Sequence, residues 1–464
     1  MIQYDKRTQT AASARRCVLW ALGARKMRGS NNMNETKRKC LKNSATAVTL
    51  VIAGILAGLL LLALVYMLPT WRVNYHIGES MWDLRWESTQ TKSGEMLDYF
   101  TEGFMLSIIY NKGDSYAEDM LLAKFMSGEK NNPLINLYDY ITQSPDNSFA
   151  PKSYGRYWHG YQTVLTPLLI FFNVDQIKTL NMAVQLVLVF AIVALLGMRR
   201  RADMIIPFAA MYLTLAPVSL FYSFQYSSTF YVMCFLSLAV ALKYDKWSFT
   251  KLCFAFEVAG IMEAFFDYLT YPAVALAVPM IMFFALDASE RKTLAERIKQ
   301  FVLLCVSWVF GYIGMWSGKW LVSTVFTDEN IIADAIKNVK FRSSTSQGTD
   351  VFNYDLAVTN NLKYLVESNA GLFRLLLVLL VVVWLVCMLN ALRRKAGALQ
   401  ATAASAAIIA LCCLIPFVWY AGTINHSYLH APFTFRELAI TVYGAMTLLY
   451  LTLYRKPKTI PDAA

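Results

Sequence analysis

Three stretches of this chain hold residues whose types and spacing suit chemistry on an anionic or sugar-bearing substrate. In LDYFTEGFML (97–106), Asp98 and Glu102 stand four apart, which sets both carboxylates on one face of a helix. Neighbouring carboxylates can hold different protonation states, so one can act as a base while the other orients the site. Asp98 and Glu102 are therefore the catalytic candidates. Leu97, Phe100, Phe104 and Ile108 mark an apolar side, and an interfacial helix with a solvated acidic face would show the same spacing.

YGRYWHGYQTVLTPLL (154–169) gathers Arg156, Trp158 and His159 among tyrosines. An arginine fork suits phosphate oxygens, and aromatic faces suit sugar rings. Tyr and Trp also collect at membrane interfaces with no ligand involved. In INHSYLHAPFTFRE (424–437), His426 and His430 have the spacing of two ligands on one helix face. Ser427 follows His426 where a zinc-protease motif needs glutamate, and Pro432 interrupts the helix. Arg436 lies just inside an apolar run, where a cation needs a partner or a polar cavity. Asp267 in FFDYLTYP (265–272) and Lys319 in GYIGMWSGKW (311–320) stand at the ends of similar runs, as does Gln225 in SFQYSS (223–228). Arg156, Trp158, His159, Asp267, Lys319, His426, His430 and Arg436 are the substrate-binding candidates. There is no P-loop, GxSxG or CxxC, no metal site is indicated, and no cofactor is expected.

The elements that hold these residues follow from composition. Of 464 residues, 57% are hydrophobic and 16% charged, and mean hydropathy is +0.41. No soluble or disordered chain carries that balance. An all-α polytopic membrane protein does. Runs long enough to cross a bilayer, roughly 20 residues each, fall near 45–67, 177–198, 204–222, 228–244, 252–269, 272–286, 301–321, 372–392, 399–421 and 433–454. The third contains Pro207 and Pro217, the fifth carries Glu257, Glu263 and Asp267, and the sixth is short.

About 10 transmembrane helices put every basic cluster on one side. The first 43 residues, Arg199–Arg201, Lys243–Lys251, Arg291–Lys299, Arg393–Lys395 and the tail together hold 27 of the 43 Lys and Arg. By the positive-inside rule both termini are cytoplasmic. The net charge of +12 thus reports orientation, and no nucleic-acid partner is expected. Residues 1–43 read as a cytoplasmic basic arm, 44–454 as the transmembrane domain and 455–464 as a cytoplasmic tail. Two long loops face outward: a large, partly helical first extracytoplasmic loop (68–175) and a second (322–371). The first holds twelve acidic residues between positions 79 and 146. All four histidines map to the outer side.

This architecture over 45–454 resembles the GT-C superfamily of polytopic glycosyltransferases. LDYFTEGFML, YGRYWHGYQTVLTPLL, FFDYLTYP and NHSYLHAPFTFR also look like sequences of a bacterial membrane-protein group associated with surface-polysaccharide loci. The resemblance implies a plasma-membrane enzyme that takes a sugar from a polyprenyl-phosphate donor and passes it to an extracytoplasmic acceptor by an inverting displacement. The partners implied are the lipid-linked donor, a cell-surface glycan and membrane lipids. The superfamily places an acidic base or substrate binder in the first outer loop, and Asp98 is its nearest counterpart here. Asp98 lies about thirty residues beyond the first span, farther than the pattern places it, while Glu79 and Asp83 are nearer. No DxD stands in this loop to hold a divalent metal. Two other readings stand beside the enzyme: a transporter or flippase of lipid or glycan, and a non-catalytic scaffold for polysaccharide assembly.

Overall fold

The computed structural model describes residues 37–84, 89–92, 95–113, 115–144, 148–289, 292–347, 350–367, 371–393 and 403–453. Most of the expected basic arm and the whole expected tail lie outside these residues. The chain divides into two units, 1–50 and 51–464. The described part of the first is helix, the opening of α1 (Lys37–Tyr66).

Among the described residues the second unit is mainly helical, with three two-stranded antiparallel sheets. Five helices among the described residues are long and apolar enough to cross a membrane: α1, then α7 (Val174–Met198), α10 (Phe224–Lys243), α13 (Leu294–Phe326) and the stretch Ala403–Gly422. On α1, Ile52, Leu56, Leu60 and Leu64 recur every fourth residue and stay exposed, an apolar stripe suited to lipid. α13 holds 33 residues, about 50 Å of helix, and so outruns the hydrocarbon layer.

Between α1 and α7 the segment expected as the first outer loop folds into its own layer. α2 (Thr70–Leu84) leads into the hairpin of β1 (Thr89–Lys92) and β2 (Glu95–Asp98), whose register pairs Thr89 with Asp98 and Lys92 with Glu95. α3 (Tyr99–Tyr110) follows directly, then α4 (Tyr116–Leu122), β3 (Phe125–Ser127), α5 (Pro133–Ile141), β4 (Ala150–Lys152) paired to β3, and α6 (Gln162–Leu169). Ile77, Met81, Leu106, Ile109, Leu134 and Leu165 build its core, which continues into Val174 and Ile177 of α7. The loop is thereby anchored to the spanning helices by apolar burial.

Where the sequence suggests one span over 204–222, the chain forms α8 (Ile205–Thr214) and α9 (Pro217–Tyr222). Proline disfavours helical geometry in the residue before it, and Ala216 accordingly turns to φ 58°. α11 (Phe249–Phe266) packs closely along α13: a methyl on Gly260 would meet the Trp308 carbonyl, and one on Gly311 that of Glu257. α12 (Ala273–Leu286) is buried along its whole length, so its even apolarity reflects a core position.

The segment expected as the second outer loop carries α14 (Ile331–Arg342), the short pair β5 (Ser346–Gln347) and β6 (Asp350–Val351), and α15 (Tyr354–Glu367). α16 (Gly371–Arg393) follows. Ala403–Gly422 is two helices, α17 (Ala403–Cys412) and α18 (Ile415–Gly422), with Pro416 in the first turn of the second. The polar stretch beyond is broken into α19 (Ile424–Leu429), α20 (Ala431–Thr434) and one 3₁₀ turn before α21 (Leu438–Leu453).

Candidate functional site

Four of the segments singled out by residue type meet at one turn, Asp267–Tyr271, between α11 and α12. Asp267 ends α11 and closes the turn by accepting from the Thr270 backbone N–H at 2.9 Å and from the Thr270 hydroxyl. Leu269 sits at φ 67°, in the left-handed region. Its carbonyl thereby receives Nε2 of His426 at 2.7 Å. Tyr268 bonds through its hydroxyl to Nδ1 of His159 (2.8 Å), whose Nε2 reaches the Tyr154 carbonyl at 2.8 Å. Tyr271 donates to the Tyr226 carbonyl, and Glu437 receives the Ala273 N–H at 3.1 Å. Tyr268, Leu269, Tyr271 and Ala273 thus each bond to another segment of the chain, which is how buried polar groups are satisfied.

Both histidine rings are held neutral. Burial lowers His159 to about 3, and the nearby Lys319 and Arg156 charges act in the same direction. His426 is lowered by burial, by His430 and by Arg342, whose Nη1 lies 2.9 Å from its Nδ1. With one nitrogen on a carbonyl and the other facing a guanidinium, His426 has no lone pair left for a metal. His430 stacks on Phe433 and is lowered by burial to about 3. Among the described residues no group of three His, Cys, Asp or Glu is placed to hold a metal ion.

The β2–α3 junction carries three buried carboxylates: Glu95, Asp98 and Glu102. Asp98 is the N-cap of α3. Its Oδ1 accepts the Thr101 N–H at 3.0 Å and its Oδ2 the Thr101 hydroxyl at 2.6 Å. Burial raises its carboxyl, against the hydrogen bonds from Thr101. Glu102 faces inward rather than to solvent. It pairs with Lys178 of α7 at 2.8 Å and accepts the Phe224 N–H at 3.0 Å, and both partners of the ion pair are buried. Phe100, on the side the spacing marks as apolar, is the exposed one. The acidic face turns in because α7 supplies a cation there.

Glu95 is the residue that the spacing argument passed over. Its Oε2 accepts the Ser219 N–H (2.8 Å) at the start of α9, while its buried Oε1 has no hydrogen-bond partner among the described residues. Burial pushes it up to about 7, opposed by the Ser219 N–H and by Arg436. A signal was present: Glu95 and Leu97 alternate along β2, and both are buried.

Arg436 completes this corner. Nε donates to the Leu215 carbonyl (2.9 Å), Nη1 to that of Pro432 (2.7 Å), and the guanidinium lies 3.8 Å from the Tyr226 ring centre. Among the described residues no carboxylate lies in salt-bridge contact with it. Asp98 and Arg436 both lie within electrostatic reach of the Tyr226 hydroxyl, so the two belong to one neighbourhood.

The other cations stand apart. Lys319 donates to the Leu121 carbonyl at 2.8 Å, at the C-terminal end of α4, where a positive charge complements the helix dipole. Beneath it Trp158 donates to the Met315 carbonyl at 2.7 Å. Arg156 pairs with Asp334 of α14 at 3.2 Å and lies over the Tyr154 and Tyr157 rings.

Two cavities flank this core. An apolar one of about 330 Å³ runs between α6, α7, α10 and α11, past Leu168, Ile177, Leu180, Val184, Phe235 and Phe266. Val164, Leu180, Val184 and Phe235 at its rim are exposed. Its inner end holds Asn181, Ser227 and Phe224, the last bonded to Glu102. A polar pocket of about 400 Å³ lies outside, between β3–β4 and α14. Tyr154 lines the pocket and Tyr161 the cavity, with His159 and Tyr268 in ring contact with both. No family model, no curated protein and no solved structure matches this chain.

Proposed function

We propose that the chain is a multi-pass plasma-membrane glycosyltransferase, resembling the GT-C superfamily, that moves a sugar from a polyprenyl-phosphate donor to an extracytoplasmic glycan. In this reading ten segments cross the bilayer: the five long apolar helices, with α8–α9, α11, α12, α16 and α21. Both termini lie in the cytoplasm, and the outer loops face the substrate. The supporting observation is the apolar cavity, whose exposed rim is apolar and whose inner end abuts the buried Glu102–Lys178 pair. Such a groove suits a prenyl tail beside a polar site.

The chemistry assigns Glu95 the role first considered for Asp98, since both Asp98 oxygens are occupied by Thr101. Glu95 Oε1 takes the proton of the acceptor hydroxyl as that oxygen attacks the anomeric carbon. The bond from that carbon to the phosphate oxygen breaks, and the phosphate leaves as an anion drawn to Arg436. One displacement gives inversion. Asp98 and Glu102 hold α3 in place. Glu95 is shut from solvent, so the β1–β2 hairpin must move aside to admit substrate.

The test is transfer from polyprenyl-phosphate sugars in liposomes, with thermal stability measured in parallel. Glu95→Gln is expected to reduce transfer at least about 10²-fold, the scale of general-base loss. Transfer by the parent protein is expected to rise with pH through about 7, where burial has moved the Glu95 carboxyl. Full activity in a folded Glu95→Gln protein removes Glu95 from the mechanism. A parent protein that transfers from no such donor belongs instead to the transporter, flippase or scaffold readings.

A further inference from the structure

The outer pocket has no part in the chemistry assigned to Glu95, and it has its own composition. Its floor comes from the first outer loop, through Phe104 of α3 and the β3–β4 ribbon, and its other wall from α14 of the second. Three cations face it, Lys152, Arg156 and Lys337, against one carboxylate, Asp334. That carboxylate is already engaged by Arg156 Nη1 at 3.2 Å and by Asn338 Nδ2 at 3.0 Å. Arg156 retains a buried Nε with no hydrogen-bond partner among the described residues. The surplus charge is positive, in a loop whose sequence is rich in acid.

The apolar part of the wall is aromatic. Phe104 meets Phe125 edge-on at 4.8 Å and Tyr154 at 5.8 Å. Sugar rings present C–H faces that pack on such surfaces, and their hydroxyls need both donors and acceptors. Asn338 Oδ1 and the Asp334 carboxylate can accept, and Lys152, Lys337 and the Arg156 Nε–H can donate; the Asn338 amide N–H groups are spent on Asp334 and the Ser153 hydroxyl on Glu329. A bare phosphate would find the carboxylate repulsive and leave the aromatic faces unused. A volume of about 400 Å³ falls within the roughly 300–1,000 Å³ of small-molecule sites.

We infer that this pocket binds a sugar unit bearing a negative charge, and that the acceptor glycan is therefore anionic. Its role as acceptor site rests on the glycosyltransferase reading above; its preference for an anionic sugar does not. The Tyr154–His159–Tyr268–Tyr161 wall then divides an acceptor side from a lipid side.

Binding can be read without any transfer. The full chain in nanodiscs of zwitterionic lipid is titrated calorimetrically with a hexuronic-acid disaccharide and with its neutral hexose counterpart. The anionic sugar is expected to bind at least about tenfold more tightly, the scale of one charge-assisted hydrogen bond. Raising salt narrows the gap. Lys337→Glu and Lys152→Glu change exposed residues and so leave folding intact. Each is expected to remove the preference. Equal affinity for the two sugars overturns the inference, as does a preference that survives both substitutions. If vesicles of an anionic phospholipid displace the sugar while Lys337→Glu abolishes lipid capture alone, the site is a headgroup site and the inference fails. A parent protein that binds the anionic sugar but transfers nothing sinks the enzyme reading and leaves the pocket standing. Transfer with no anionic preference does the reverse.

Discussion

The Glu102–Lys178 pair joins α3 to α7, a helix long and apolar enough to cross a membrane, and its removal has a calculable effect. Glu102 is fully buried, Lys178 is 1% exposed, and Nζ lies 2.8 Å from Oε2. At an effective dielectric of about 20 the attraction is about 6 kcal/mol. Desolvating both ions offsets most of that, so the net value of the pair is small. Breaking it is another matter. Lys178→Met leaves Glu102 as an unpaired buried carboxylate, with only the Phe224 N–H to stabilise it, at a cost of about 3–5 kcal/mol. Burial already pushes the Glu102 carboxyl upward, and the Lys178 ammonium is the largest influence pulling it back. Glu102→Gln keeps an oxygen for the Phe224 N–H but strands the ammonium, with the Tyr99 ring at 4.4 Å and the Phe224 ring at 5.7 Å beside it. The double variant Glu102→Gln/Lys178→Met strands neither charge. It is expected to recover at least half of the larger single loss.

The assay is a double-mutant cycle on thermal unfolding in one detergent, each variant at equal protein concentration. A coupling energy near zero would refute the reasoning, since it would mean that the two charges do not stabilise each other. So would single variants within about 1 kcal/mol of the parent, the range of an exposed pair.

Stability should also fall as pH rises from about 4.5 to about 7, because a carboxyl whose folded pKa is raised favours the fold while protonated. Glu95→Gln should remove that decline, worth up to about 3 kcal/mol, seen as divergence of the two thermal-unfolding curves with rising pH as the parent alone loses stability; parallel curves would contradict it. Topology is checked by cysteine labelling with an impermeant reagent in a cysteine-free background. Ser344→Cys should react in intact cells and Lys246→Cys should not, and the reverse pattern would invert the assignment.

How much of this was legible in the sequence depends on the range of the interaction that decides each feature. α1, α7, α10 and α13 follow from unbroken apolar runs, a local property. The break at Ala216 was legible in Pro217, although a proline inside an apolar run does not by itself say whether the helix bends or ends. The burial of α12 was not legible: its fourteen apolar residues would read the same facing lipid or facing other helices. The spacing of Asp98 and Glu102 identified a shared face but not its direction. Lys178, 76 residues further on, sets that direction. Glu95 escaped because it belongs to a strand, where period two applies, while the neighbouring residues were read with the period of a helix.

The convergence on Asp267–Tyr271 has a physical cause that also explains why its members stood out beforehand. Asp267 and Arg436 drew notice as polar residues at the ends of apolar runs, a costly placement without partners, and His426 by its spacing from His430. Buried there, each must be satisfied by the protein itself. Turn carbonyls, span-end N–H groups and tyrosine hydroxyls are the partners nearest at hand, and they supply most of the bonds found: Leu269 to His426, Leu215 and Pro432 to Arg436, Ala273 to Glu437. Such bonding spends the hydrogen-bonding capacity of His426 and two of the five N–H donors of Arg436. It leaves one oxygen each on Glu95, Glu263 and Glu437 without a partner among the described residues. Of these, Glu95 alone lies between α1 and α7, on the β1–β2 hairpin rather than on a helix or next to one of its ends. It is therefore the carboxylate whose remaining oxygen can be uncovered by moving the fewest elements, which is the physical ground for testing it first.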